Sequence, residues 1–149
     1  MESINVFAKK YVWLVPLILR FGLAIVFILF GIHKLQAPSQ TTAEIQYILG
    51  FEKAEAAAPI NFYMGLFEIA ISISLIIGFQ VRLAGLLAAL TTLAIFVSFT
   101  IKIGSLFSID PGIYRDLGLS GMGLALFFIG KNETKKLDTQ PQVSATSQQ

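Results

Sequence analysis

Glu68 is the residue of this sequence with the clearest chemical consequence, because it is the single charge in a long apolar run, Ile60–Phe79. A run of this length spans a bilayer as a helix. A carboxylate near the middle of such a span costs about 3 kcal/mol on insertion scales. A partner, a proton or a water-filled cavity must offset that cost, and each would mark a candidate functional site.

Arg20 is the only charge in the first apolar run, and we expect it to pair with Glu68. If this span enters the membrane at Tyr11, Arg20 lies ~14 Å from one face and Glu68 ~12 Å from the other. Across a core of about 30 Å their depths then nearly match. The pair is either an ion pair that holds two helices in register or a site that binds a ligand or exchanges a proton. Arg20 and Glu68 are therefore the candidate catalytic residues.

A second polar group is predicted near the outer face of the membrane. His33 and Lys34 end the first span, Arg115 and Asp116 begin the last one, and Lys102 ends the third. They form either an interfacial collar of snorkelling side chains or a mouth that leads to Glu68 and holds a polar head group. We take His33, Lys34, Arg115 and Asp116 of this group as ligand-binding candidates.

The composition sets the class of protein and excludes several chemistries. The chain is 55% hydrophobic and 13% charged, whereas soluble domains carry about a quarter charged residues. This composition indicates a small integral membrane protein in a lipid bilayer. The chain has no cysteine and one histidine, which excludes thiol chemistry, a thiolate or multi-histidine metal site and a bis-histidine haem within one chain. The net charge of +2 is too small to indicate a nucleic-acid partner.

Four apolar segments predict an all-α membrane protein, a bundle of four transmembrane helices that positions these residues. The predicted spans are residues 11–32, 60–79, 83–101 and 113–130. A tight turn at Gln80–Arg82 makes the second and third spans antiparallel neighbours. In the outer loop before the second span, Thr41 and Glu44 fit a capping box, which predicts a short amphipathic helix on the surface.

The distribution of lysine and arginine predicts the orientation of the bundle. One side carries six basic residues and the other carries four, which favours both termini in the cytoplasm of a bacterial-type plasma membrane. Residues 1–130 form the predicted domain, and the polar tail 131–149 is predicted to be disordered. Small residues that allow close helix packing, or a homo-oligomer, are Gly85, Ala89, Gly118, Gly121 and Gly123.

These motifs, in their order along the chain, resemble the DoxX family of small four-span membrane proteins. The resemblance covers roughly residues 15–130. Its motifs are Arg20–Phe27, Gly31–Leu35, Gly65–Glu68, Leu75–Phe79, Arg82, and Arg115-Asp116 before a glycine-rich apolar stretch.

The resemblance implies a four-helix membrane fold and makes a weaker statement about chemistry. The family takes its name from a subunit of a thiosulfate:quinone oxidoreductase, and relatives are described as quinol-oxidase-like. By position it implies Arg20, Lys34, Glu68, Arg82 and Asp116 as candidate site residues, which adds Arg82 to the ligand-binding candidates. We expect a quinone-linked accessory subunit of a membrane oxidoreductase, with quinone as cofactor. Alternatives are a proton-coupled small-solute or lipid-handling protein, or a structural assembly subunit without a catalytic site.

Overall fold

The protein is built from helices, and no β-strand occurs among the residues that the structure describes. A computed structural model describes residue 7 and residues 9–104 and 111–130. The principal helices are α1 (Leu14–Gln36), α2 (Pro38–Leu49), α3 (Ala54–Ile77), α4 (Val81–Ile103) and α5 (Pro111–Ile129). The predicted disordered tail, 131–149, lies outside the described residues.

Three of these helices, α1, α3 and α4, are long and apolar enough to cross a membrane. Their outward faces carry large apolar side chains, such as Ile18, Ile77 and Ile101, as expected where lipid is the solvent. Helix α5 is 19 residues long and is not among the three. Its first turns carry Arg115 and Asp116, which lower its apolar content. The fourth span therefore stays a prediction.

Helices α1 and α3 pack antiparallel at close range. The Ser72 hydroxyl on α3 donates a hydrogen bond of 2.8 Å to the Ala24 carbonyl on α1. Further along, a Cβ atom added to Gly31 would lie 2.7 Å from the Gly65 carbonyl oxygen. Only glycine allows the two backbones to approach this closely. These contacts set the register between the two helices.

Helices α4 and α5 form the second tight pair. A Cβ added to Gly85 would lie 2.9 Å from the Gly123 carbonyl oxygen, and Ala89 packs against Gly123. The predicted role of these three residues in helix packing is confirmed. Gly118 and Gly121 have no neighbour within 4 Å of an added Cβ among the described residues, so they do not contribute to this contact.

The α3–α4 connection is as tight as predicted, but its turn comes two residues earlier. Gly78 and Gln80 have φ angles of 83° and 49°, and α4 begins at Val81. The backbone N–H groups of Gly78 and Phe79 both donate to the Ser74 carbonyl, at 3.0 Å each. This arrangement ends α3 with a left-handed glycine.

Two predictions of helix starts are wrong. Helix α2 is present, but it begins at Pro38 rather than at a Thr41 cap, and Thr41 donates to the Pro38 carbonyl at 3.5 Å. Proline suits the first turn because its missing N–H needs no partner there. Helix α3 begins at Ala54, before the predicted start at Ile60, with Pro59 inside it. The alanines that precede Pro59 favour a helix strongly enough to offset one lost hydrogen bond.

Candidate functional site

Glu68 is paired with Lys34. The Lys34 ammonium donates to both carboxylate oxygens of Glu68, at 2.7 Å and 2.8 Å. The Glu68 side chain is 3% exposed and that of Lys34 is 13% exposed. The pair joins α1 to α3 inside the bundle and offsets the cost of burying either charge alone.

The predicted pairing of Arg20 with Glu68 is wrong. Arg20 lies beside Gly78, where a Cβ added to the glycine would be 3.2 Å from Nη1 of Arg20. Gly78 is ten residues beyond Glu68, about 15 Å along α3. Side chains lean toward the N-terminus of their own helix. In an antiparallel pair, Lys34 and Glu68 therefore lean toward one another, whereas Arg20 leans away from Glu68.

The Lys34–Glu68 pair borders a cavity of about 410 Å³. The cavity lies between α1, α3, α4 and α5, and α2 covers part of it. Its walls combine polar and aromatic side chains. The lining residues are Phe27, Phe30, His33, Lys34, Gln40, Thr41, Glu44, Glu68, Thr92, Ile95, Phe99, Arg115 and Asp116.

Asp116 and Arg115 bring a second pair of opposite charges to this cavity. Nε of Arg115 donates to Oδ1 of Asp116 at 3.3 Å, and Asp116 is close enough to Lys34 and Glu68 to interact with both electrostatically. The Phe30 ring lies near both cations, 4.4 Å from the Arg115 guanidinium and 5.7 Å from the Lys34 ammonium. Cations at these distances are attracted to the ring face. The two ion pairs and the Phe30 ring thus lie close together in the lining of the cavity.

The mouth of the cavity is marked by its exposed lining residues. His33, Gln40, Glu44 and Arg115 are exposed, whereas Glu68 and Asp116 are buried. The cavity therefore extends from an exposed, polar rim inward to the buried carboxylates of Glu68 and Asp116. Thr41 of α2 is also buried and lines the cavity, so this helix forms part of the wall rather than a separate surface element.

The structure brings together five of the seven predicted site residues. His33, Lys34, Glu68, Arg115 and Asp116 line one cavity, and we call this region the cavity end.

Arg20 and Arg82 lie at the opposite end of the bundle. Arg82 packs against Gly130 at the end of α5, where an added Cβ would be 3.2 Å from its Cγ. We call the region of Arg20, Gly78, Arg82 and Gly130 the arginine end.

Several lining residues were missed by the sequence analysis. Phe27, Phe30 and Lys34 recur at helical spacing on one face of α1, and Thr92 and Phe99 do so on α4. This spacing was the signal that could have found them. The spacing alone does not indicate a binding site, because aromatic and threonine side chains in apolar spans usually indicate packing.

Asn61 is a further polar residue that was missed. It is buried on the same face of α3 as Glu68, two turns earlier in the helix, and its Nδ2 donates to the Lys34 carbonyl at 3.2 Å. Its Oδ1 has no hydrogen-bond partner among the described residues. Asn61 thus fixes the backbone that carries Lys34.

The fold and the site together define a multi-pass helical membrane protein with a charged cavity at one end of its bundle. The DoxX family model matches residues 15–101, more than half of the chain. The chain belongs to the DoxX family. The match includes Lys34 and Glu68 and ends before Arg115 and Asp116. Neither a curated protein nor a solved structure matches the chain.

Proposed function

We propose that the cavity binds the head group of a lipid-soluble quinone, and that the protein is a quinone-linked accessory subunit of a membrane oxidoreductase. The observation that carries this proposal is the Lys34–Glu68 pair, which is buried in an apolar bundle yet borders a cavity. A closed ion pair of purely structural role has no need of such a cavity.

The lining residues fit a quinone in three respects. Phe30 and Phe99 line the cavity and are half-buried, so they provide aromatic surface for a planar ring. The Lys34 ammonium is a donor suited to a carbonyl oxygen. A volume of about 410 Å³ falls within the range of small-molecule sites, roughly 300–1,000 Å³.

A bound quinone supplies two-electron, two-proton redox chemistry. The chain's own residues would hold and orient its ring. Lys34 is placed to donate a hydrogen bond, and Glu68 is placed to hold a proton that exchanges through Asp116 and the polar rim. The sequence has no cysteine and one histidine, so a partner protein with a flavin or metal centre would supply the electrons.

We further propose that α5 is a fourth span and that both termini lie in the cytoplasm of a bacterial-type plasma membrane. Counted along the sequence, the side of the two termini carries six basic residues and the other side carries four, which supports this orientation by the positive-inside rule. The cavity would then open to the outer side.

The test is to look for quinone in the full-length protein purified in mild detergent. An organic extract is analysed by mass spectrometry, and a short-chain benzoquinone is then titrated into the protein while its thermal unfolding is followed. We expect quinone in the extract and a saturable rise of Tm. The double variant Lys34→Gln/Glu68→Gln, which leaves no buried charge unpaired, should weaken binding about tenfold, as for the loss of one hydrogen bond from a charged group.

Lys102→Gln is the matched control, because Lys102 is a cation of α4 that does not line the cavity. It should bind the benzoquinone as the unchanged protein does. A clean extract together with no saturable Tm rise would overturn the proposal. A different result would favour the proton-coupled alternative. In that case the Lys34→Gln/Glu68→Gln variant would be expressed and would bind the benzoquinone as the unchanged protein does, while proton flux in liposomes would depend on Glu68.

A further inference from the structure

The arginine end has a charge pattern that the proposed quinone site does not use. Its cations in the described part of the chain are Lys9, Lys10, Arg20 and Arg82. The two ion pairs among the described residues involve Lys34 and Arg115, so neither arginine at this end is in one.

The described carboxylates all lie toward the other end of the bundle. Glu44, Glu68 and Asp116 line the cavity. Glu52 precedes α3, and Glu55 is in its first turn. Gly78 lies beyond the opposite end of this helix, about 35 Å from its start. Protein acids in the described part of the chain therefore do not neutralise the arginine end.

Both arginines also carry a buried donor without a partner. The Nε atoms of Arg20 and Arg82 are buried and make no hydrogen bond within the part of the chain that the structure describes. The C-terminal ends of α3 and α5 offset part of each charge. They leave the Nε–H groups unpaired, and an unpaired buried donor is costly.

The surroundings of these arginines are those of a membrane interface. Trp13 is 60% exposed, and Phe79 beside Gly78 is also exposed. Exposed tryptophan at the end of an apolar helix is typical of the head-group level. A phosphate at this level has the geometry and charge that a guanidinium recognises.

We propose that the arginine end binds the phosphate groups of anionic phospholipids through Arg20 and Arg82. Both side chains are only half-buried, so their guanidinium groups donate to phosphate oxygens through the Nη atoms, which are not among the buried, unpaired atoms of the described residues. Gly78 leaves room for the Arg20 guanidinium, because a Cβ there would lie 3.2 Å from Nη1. This site is separate from the cavity and does not depend on quinone binding.

The test compares lipids that differ in head-group charge. Full-length protein in mild detergent is titrated with phosphatidylglycerol or with phosphatidylcholine of the same acyl chains, and bound lipid is counted by native mass spectrometry. A third titration uses inorganic phosphate. We expect preferential retention of phosphatidylglycerol. Arg20→Gln and Arg82→Gln should each weaken it about tenfold, as for the loss of a charge-assisted hydrogen bond.

The double variant Lys9→Gln/Lys10→Gln is the control, because it removes two positive charges from the same end without touching either arginine. It should retain phosphatidylglycerol within about twofold, since exposed charges contribute little individually. Arg20→Lys keeps the charge but lacks the planar fork of N–H donors that matches a phosphate, and it should behave as Arg20→Gln does. If Arg20→Gln does not fold, Arg82→Gln carries the same test.

Three outcomes would overturn the proposal. Phosphatidylcholine also carries a phosphate, but its head group has no net charge. If the protein retained both lipids equally, the arginine end would not select an anionic head group. An equal loss in the two-lysine control would mean diffuse attraction to a negative surface. Saturable binding of inorganic phosphate that phosphatidylglycerol does not displace would assign the site to free phosphate.

Discussion

The two ends of this bundle neutralise their charges in different ways. At the cavity end, Lys34 is paired with Glu68 at 2.7 Å and Arg115 with Asp116 at 3.3 Å. At the arginine end, Arg20 lies against the end of a helix and is paired with no carboxylate of the described residues. The buried carboxylates of Glu68 and Asp116 each have a protein partner, whereas the guanidinium groups at the arginine end have no carboxylate partner among the described residues.

The difference follows from depth. Solvation can reach a guanidinium near the head groups, and an arginine snorkels to gain it. Glu68 lies about 21 Å from the start of α3 at 1.5 Å per residue, where only the protein or a ligand can stabilise its charge. The buried pair is therefore the more fragile of the two arrangements, and the predictions below test this asymmetry.

Breaking the Lys34–Glu68 pair should have the largest effect. Glu68→Ala leaves the Lys34 ammonium buried without a partner, which costs about 3–5 kcal/mol and leaves little folded protein. Replacing both residues, by Glu68→Leu and Lys34→Met, should recover most of the loss, because no buried charge remains. The free energy of unfolding in detergent measures both changes.

The same double-mutant cycle on Arg20 and Glu68 is the control for this prediction. Arg20→Met and Glu68→Leu should add within about 0.5 kcal/mol, since the two sites do not touch. A strong coupling between Arg20 and Glu68, or none between Lys34 and Glu68, would contradict the register described here.

Closing the space between α1 and α3 should have the next largest effect. Gly31→Ala places a Cβ 2.6 Å from Cγ1 of Ile69 and 2.7 Å from the Gly65 carbonyl oxygen. Overpacking of this kind costs about 1–3 kcal/mol, and it also displaces Lys34 from Glu68. Thermal unfolding in detergent measures the loss.

Gly118→Ala is the matched control, because an added Cβ there has no neighbour within 4 Å among the described residues. It should be neutral or stabilise the protein by up to about 1 kcal/mol, since alanine favours a helix more than glycine. Equal destabilisation by both changes would mean that helix propensity, and not the α1–α3 contact, decides the result.

Removing a charge from the arginine end should have the smallest effect on stability. In a zwitterionic detergent without anionic lipid, Arg20→Gln should cost less than about 1 kcal/mol, the usual contribution of a cation at a helix C-terminus. The Tm should therefore fall far less than it does for Glu68→Ala. A loss as large as that of the buried pair would remove the distinction between the two ends.

Much of the fold and part of the site were predictable from the sequence. The apolar runs located α1, α3 and α4, since residues that face lipid must be apolar along the whole span. The boundaries were less predictable. The predicted second span begins at residue 60, whereas α3 begins at Ala54 and runs through Pro59, because local propensity and packing together exceed the cost of one missing hydrogen bond.

The sequence alone determined that Glu68 needs a partner, because a lone carboxylate in an apolar span is too costly. It also determined that His33, Lys34, Arg115 and Asp116 belong near one end of the bundle, because they stand at helix ends. Only the tertiary structure decided that the partner is Lys34. That choice depends on the α1–α3 register and on the lean of each side chain toward its own helix N-terminus, and neither is visible from depth along a single helix.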